Sequence, residues 1–244
     1  MRMKCPYCGS TNTATIIRGM PDYTALLEMD KRKEKYIIGG CCITGNDPAY
    51  KCLECYLDFG TLPVLKGEEE AEAGDQVLLP EIITEIWFAV GGFFDGYDHV
   101  RIIRKGDRRA LCAYHVPISD GKEPFALREF SAREWKALMN KLFCRLFVHE
   151  WKHEYSNDEI LDGTQWYLEL RLDGRKDYVI SGSNAYPPLY SDLEKMFLKY
   201  LQESVPLEMD PAKRAMYKFL FSDCYGTLDV IQEKFKRADM NADM

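Results

Sequence analysis

The chain has 244 residues, 46% hydrophobic and 13% aromatic, with 39 acidic against 32 basic side chains and a net charge of −7. That length and apolar content suit a buried core and exclude wholesale disorder. The acidic balance argues against general polyanion binding without excluding a local basic patch. Nine cysteines, an odd number, do not read as a secreted disulfide framework.

The opening Met1-Arg2-Met3-Lys4-Cys5 enters a cysteine motif at once and leaves no room for a signal-peptide apolar segment. The longest apolar run, Ile86 to Phe94, is about half the ~18 residues needed to cross a bilayer. The expected setting is therefore soluble, reducing and cytoplasmic, with no membrane partner. In such a compartment free thiolates stay available for metal.

Residues 1–62 read as a zinc ribbon. Two pairs, Cys5-Pro6-Tyr7-Cys8 and Cys52-Leu53-Glu54-Cys55, can present four thiolates to a tetrahedral Zn²⁺ at about 2.3 Å without strain. Cys5, Cys8, Cys52 and Cys55 are thus the expected metal ligands for one structural zinc. Four filled positions leave none for a substrate water, so no catalysis is expected there. Between the pairs, Thr13, Thr15 and Ile17 alternate as a short strand does, and Pro21 to about Lys35 has helical spacing with Pro21 in the first turn. Tyr36-Ile37-Ile38 then forms a strand stopped by Gly39-Gly40. Cys41 and Cys42 could replace a ligand or act as a thiol switch, but read better as small residues packed after that turn. The cluster Lys31-Arg32-Lys33 with Lys35 reads as a solvated helix end, with nucleic-acid contact a possible but not favoured alternative.

Residues 63–80 are expected to be an acidic flexible linker, from the run Lys66-Gly67-Glu68-Glu69-Glu70-Ala71-Glu72-Ala73-Gly74-Asp75. Residues 81–205 read as an α+β domain, an antiparallel sheet built of two hairpin-plus-helix halves with helices on one face. Ile86 to Val90 is a buried strand. Val100 to Ile103 and Ala110 to Tyr114 flank a turn at Lys105-Gly106-Asp107. Ser131-Ala132-Arg133-Glu134 is a capping box ahead of a helix with Trp135, Leu138, Met139, Leu142 and Phe143 on one face. In the second half, Trp166, Leu168, Leu170 and Leu172 share one side of a strand, with Tyr167, Glu169 and Arg171 on the other. After the Asp173-Gly174 turn, Tyr178-Val179-Ile180 returns, and Pro187-Pro188 opens a helix. Residues 206–244 are expected to be a C-terminal helical extension.

His149-Glu150-Trp151-Lys152-His153 matches H-E-x-x-H. On a helix, His149 and His153 would share a face and Glu150 could activate a zinc-bound water, which makes a zinc-dependent hydrolase one alternative reading. Lys152 and Glu154 would crowd such a helix and no third ligand presents itself, so the segment is expected to be extended or at an element boundary. Ser183 and Asn184, between strand and helix, could meet a ligand but read better as satisfying loop backbone groups.

Cys5-Pro6-Tyr7-Cys8-Gly9-Ser10, Gly39-Gly40-Cys41-Cys42-Ile43 and the second knuckle together resemble the N-terminal ribbon of a group of uncharacterised bacterial proteins. Asp162-Gly163-Thr164-Gln165-Trp166-Tyr167-Leu168-Glu169-Leu170 and Gly182-Ser183-Asn184-Ala185-Tyr186-Pro187-Pro188 resemble a C-terminal segment of such proteins. The resemblance implies a bacterial cytosolic protein with bound zinc and no stated activity. With a saturated metal site and no catalytic set, the residues point to a non-enzymatic binding or regulatory module that engages a protein or small ligand.

Overall fold

The computed structural model describes residues 3–65, 77–92, 94–116, 126–160 and 162–202. The acidic run from Lys66 to Asp75 and the C-terminal extension over 206–244 lie outside the described residues. The chain divides into two compact units: Met1–Ile82 with Ala137–Trp151 and Pro187–Leu193, and Ile83–Lys136 with Lys152–Tyr186 and Glu194–Met244.

The first unit holds β1 (Thr13–Ile17), α1 (Tyr23–Lys31), β2 (Tyr36–Ile38), β3 (Tyr50–Cys52), β4 (Asp58–Phe59) and the single turn α2 (Leu79–Ile82). Its sheet has the order β2-β1-β3-β4. β1 and β2 are parallel, which requires a crossover, and α1 supplies it. The helix starts two residues later than Pro21 suggested and ends at Lys31, short of Lys35. Asp22 caps it, accepting the Thr24 N–H at 2.9 Å, and Pro21 lies just outside. Cys5, Cys52, Phe59 and Phe147 form one buried cluster with Met3, Tyr50 and Cys55 packed against it, and Leu79, Leu142, Phe143, Trp151 and Leu193 of the same unit are buried as well. Phe59 lies 5.4 Å from Tyr50 and 5.3 Å from Phe147, centroid to centroid.

The second unit is built on β5 (Ile83–Gly92), β6 (Gly96–Lys105), β7 (Arg108–Val116), β8 (Ala126–Glu129), β9 (Glu154–Ser156), β10 (Thr164–Leu172) and β11 (Tyr178–Ser183). Two helices complete the α+β architecture: α3 (Ala132–Cys144), of which the residues up to Lys136 belong to this unit, and α4 (Tyr190–Gln202), which belongs to it from Glu194. The strand order is β8-β7-β6-β5-β10-β11-β9, antiparallel except where β9 joins β11. Lys105 pairs with Arg108 across a two-residue turn, in which Gly106 adopts a φ of 60°. The capping box forms in both directions: Ser131 N–H to Glu134 Oε2 at 2.8 Å and Glu134 N–H to Ser131 Oγ at 3.2 Å. All five apolar residues of the α3 stripe are buried.

Register stacks the apolar residues on one face. Leu168 lies opposite Phe88 and Ile180, Phe88 opposite Val100, and Ile102 opposite Leu111. Phe197 of α4 stacks on Phe88 at 4.7 Å, and the Arg104 guanidinium lies 5.4 Å from the Trp135 ring of α3. Helices thus cover this side.

The other face is buried at its centre too, where charged and aromatic side chains meet. Glu85 accepts from Arg101 at 2.5 Å and from Arg171 at 2.9 Å; Arg171 also reaches Glu169 at 2.9 Å, and the Tyr167 hydroxyl donates to Glu169 at 3.0 Å. The Arg101 guanidinium lies 4.6 Å from the centroid of the Trp87 ring.

His99, fully buried beside this network, carries a pH dependence. The Trp87 indole can only donate, and its N–H reaches His99 Nδ1 at 3.1 Å, so the imidazole proton sits on Nε2. Burial, then the charges of Arg101 and His115, hold its pKa down at about 3. In the unfolded chain an imidazole titrates near about 6.5. Below that pH the unfolded state takes up a proton that the folded state refuses, so stability falls as pH drops from about 6.5 toward the folded value. The loss is about 1.4 kcal/mol per pH unit. Urea unfolding between about pH 6.5 and 5, above the carboxylate range, should show this slope, and His99→Gln should remove it. Equal slopes for the two proteins would disprove the assignment.

Candidate metal centre

Each pair of cysteines comes from a tight knuckle. In the first, Gly9 N–H bonds the Cys5 carbonyl at 2.9 Å and Cys5 N–H bonds the Ser10 carbonyl at 2.9 Å. Gly9, with a φ of 75°, makes the left-handed step. In the second, Cys52 N–H bonds the Leu57 carbonyl at 2.9 Å, and Tyr56 takes the equivalent step with a φ of 63°. Pairing of Thr13 in β1 with Cys52 in β3 brings the knuckles together.

The four sulfur ligand atoms of Cys5, Cys8, Cys52 and Cys55 all lie within 4.8 Å of one another. Cys5 Sγ is 3.7 Å from Cys55 Sγ, and Cys8 Sγ is 3.5 Å from Cys52 Sγ. A tetrahedron of sulfurs at about 2.3 Å from its centre has edges of about 3.8 Å. The set is therefore capable of coordinating a metal ion. Glu54 and Cys55 N–H groups approach Cys52 Sγ at 3.5 Å each, as donors that stabilise a thiolate. Burial pushes the Cys5 thiol up against the N–H groups of Tyr7 and Cys8. At Cys52 burial also opposes ionisation, but the Cys55 and Glu54 N–H groups, with the neighbouring thiols, bring it down to about 7. Four thiolates this close repel one another, and a dication at their centre is the charge that lets all of them ionise. Among the described residues no other group of three or more His, Cys, Asp or Glu ligands converges in this way.

No family model, curated protein or solved structure matches this chain. Its chemistry is read from its own geometry.

Cys41 and Cys42 lie outside the cluster, and the packing expected for them does not occur. Both are exposed. The loop itself stays tied to the chain, with the Gly19 N–H bonding the Gly40 carbonyl at 3.2 Å, but the two thiols point to solvent.

The H-E-x-x-H string is not a helix. α3 stops at Cys144, and Phe147, with a φ of 53°, leads into a 3-10 turn over Val148–Glu150. The backbone is extended at Trp151. His149 Nε2 lies 3.1 Å from the Thr61 carbonyl, whereas His153 Nδ1 lies 2.8 Å from the Val179 carbonyl. The helical face that would converge both imidazoles on a metal does not form. Glu150 has a different task. One oxygen accepts from Gly60 N–H and Thr61 N–H at 2.8 Å each and from the Thr61 hydroxyl at 2.9 Å; the other accepts from the Tyr7 hydroxyl at 3.2 Å. Tyr7 sits between two of the metal-competent cysteines, so Glu150 ties that knuckle to the chain after β4.

Tyr7, Thr61, Phe147 and Glu150 were not legible as supports of the site. Glu150 and its partners at Gly60 and Thr61 are separated by 90 and 89 residues, and no local pattern marks such a contact. Asn184, at a φ of 54°, bonds the Thr164 carbonyl through its N–H at 2.9 Å and the Ile160 carbonyl through its side chain at 3.1 Å, so it closes its own loop.

Removing the Glu150 carboxylate leaves part-buried N–H donors without their acceptor. Glu150→Ala should cost about 1–3 kcal/mol in urea unfolding and leave metal content unchanged. His153→Ala should cost well under ~1 kcal/mol and also leave metal content unchanged. Loss of a metal equivalent in the His153 variant, measured by elemental analysis, would restore the hydrolase reading.

Proposed function

We propose that the four-cysteine cluster holds one structural Zn²⁺ and that the chain is a non-enzymatic binding or regulatory module. In this reading a zinc ribbon is tethered to an α+β domain that engages a protein or small ligand. The observation that carries it is the sulfur geometry: separations of 3.5 and 3.7 Å, with two backbone N–H groups directed at Cys52 Sγ. All four protein ligands are sulfur, which suits zinc and closes the coordination sphere to a substrate water. Thiolates kept free for metal favour a reducing compartment, and the motif resemblance favours a bacterial cytoplasm. Among the described residues no helix is long and apolar enough to cross a membrane.

Elemental analysis of the purified chain should give about one zinc per chain, the stoichiometry of a single four-thiolate site. Cobalt exchanged into the site should show the visible bands of a tetrahedral tetrathiolate. Iron in place of zinc would move the site toward electron transfer, since a four-sulfur tetrahedron also suits iron. Turnover in a hydrolase and transferase screen, abolished by a point change in the second unit, would overturn the non-enzymatic reading.

A further inference from the structure

We infer that metal binding at the four cysteines sets the conformation of two segments outside the ribbon, residues 145–151 and Pro187–Leu193, and so makes the chain a zinc-responsive latch. This deepens the regulatory-module reading and rests on it.

The first segment is strained, and ribbon side chains hold the strain in place. Phe147 has a φ of 53°, in the left-handed region that a bulky side chain rarely adopts and keeps only where its surroundings over-determine it. Its buried ring lies 5.3 Å from that of Phe59 in β4 and 6.3 Å from that of Tyr50 in β3, centroid to centroid. β3 ends at Cys52 itself, and β4 follows the second knuckle. After Phe147 the chain makes a single 3-10 turn, with Glu150 N–H on the Phe147 carbonyl at 2.9 Å and Trp151 N–H on the Val148 carbonyl at 3.2 Å. One such turn does not persist in water by itself. Glu150 fastens it to Gly60, Thr61 and Tyr7 of the ribbon.

The second segment meets the first knuckle. A Cβ built on Gly9 would lie 3.4 Å from the Pro188 Cβ, so the knuckle backbone rests against that proline. Lys4 Nζ meets Asp192 Oδ2 at 2.6 Å. That pair is partly exposed and fixes position more than it adds stability. Lys4 and Gly9 are each next to a cysteine of the cluster.

Zinc binds the arrangement in which the four sulfurs converge and has no such site in any other, so its differential affinity selects that arrangement. Without a dication the thiols repel as they ionise and the knuckles lose their positions. Tyr50, Phe59 and Gly9 lose theirs with them. Phe147 is then free to leave its left-handed conformation, and the Glu150 carboxylate parts from its donors.

The test uses the full chain, zinc-loaded and after zinc removal by a chelator, read by amide hydrogen exchange. The probes are Glu150 and Trp151, with Tyr190 and Asp192, whose N–H groups bond the Pro187 and Leu189 carbonyls at 2.9 and 3.1 Å. Zinc removal should speed exchange at these four amides about tenfold or more and leave the β5 and β10 amides unchanged. Linkage requires the reverse effect as well: whatever zinc contributes to the latch, the latch contributes to zinc binding. Glu150→Ala, and Phe147→Gly, which keeps the left-handed step and deletes the ring, should each lower zinc affinity about tenfold in competition with a chromophoric chelator. Both should still reach one zinc per chain at saturation. If the four amides keep their zinc-loaded rates in the zinc-free chain, or if β5 and β10 lose protection to the same degree, the latch is overturned. Unchanged zinc affinity in both variants overturns it too. In each of these cases zinc is bound and only the latch fails; if the purified chain binds no metal, the module reading itself fails.

Discussion

Replacing Cys8 or Cys55 with serine is expected to release the metal and unfold the ribbon while sparing the seven-stranded sheet. The reason is the size of the core beside the cluster. Phe59 and Phe147 are the large apolar side chains buried there, and the other buried members, Cys5 and Cys52, are themselves metal-competent cysteines. That cluster alone cannot offset the ordering of the chain around the two knuckles, and metal binding supplies on the order of 10 kcal/mol toward it. Serine is a poor zinc ligand and leaves three thiolates without a stable tetrahedral site. The expected result is loss of the metal in elemental analysis. Rapid proteolysis should follow within 3–62, with the amide signals of β5 and β10 retained. Full metal retention in a variant lacking both Cys52 and Cys55 would show that other residues are the ligands.

The second large effect belongs to the polar face of the second unit. Arg101 is 1% and the Glu85 side chain 7% exposed, and Glu85 also holds Arg171. Glu85→Gln removes the charge between two guanidinium groups and takes from buried Arg101 the carboxylate that meets both its Nε and its Nη2. The expected cost is about 3–5 kcal/mol, read as a lower urea midpoint. Removing both members of the central pair, as Glu85→Gln with Arg101→Met, should cost clearly less than the sum of the two single changes, because no unpaired charge is then buried. A Glu85→Gln cost below about 1 kcal/mol, with strict additivity in the double variant, would mean that the pair is solvated rather than buried.

The sequence by itself determined whatever depends on neighbours a few residues apart. The two cysteine knuckles, the turn at Gly106-Asp107, the Ser131–Glu134 box and the buried stripe from Trp135 to Phe143 are all set by local spacing, and all are found where the residues place them. The alternation of Trp166, Leu168, Leu170 and Leu172 likewise marks a strand, because side chains on a pleated backbone repeat every second residue.

Only the tertiary structure decided which surfaces those elements meet. Tyr167, Glu169 and Arg171 read only as the other side of that strand, and it is the pairing of β10 with β5 that sets Glu169 opposite Trp87 and Arg171 opposite Glu85, where opposite charges and aromatic rings meet. The edge strands β8 and β9 are four and three residues long, too short to show a periodicity of their own, and exist because a neighbouring strand offers them a ladder. The same holds at the metal centre. Four cysteines announce themselves by spacing, whereas Glu150 is recruited from a distant turn by the donors of Gly60 and Thr61. A motif that reads as catalysis in one dimension becomes a hydrogen-bond brace in three, because a carboxylate takes its role from the donors the fold places around it.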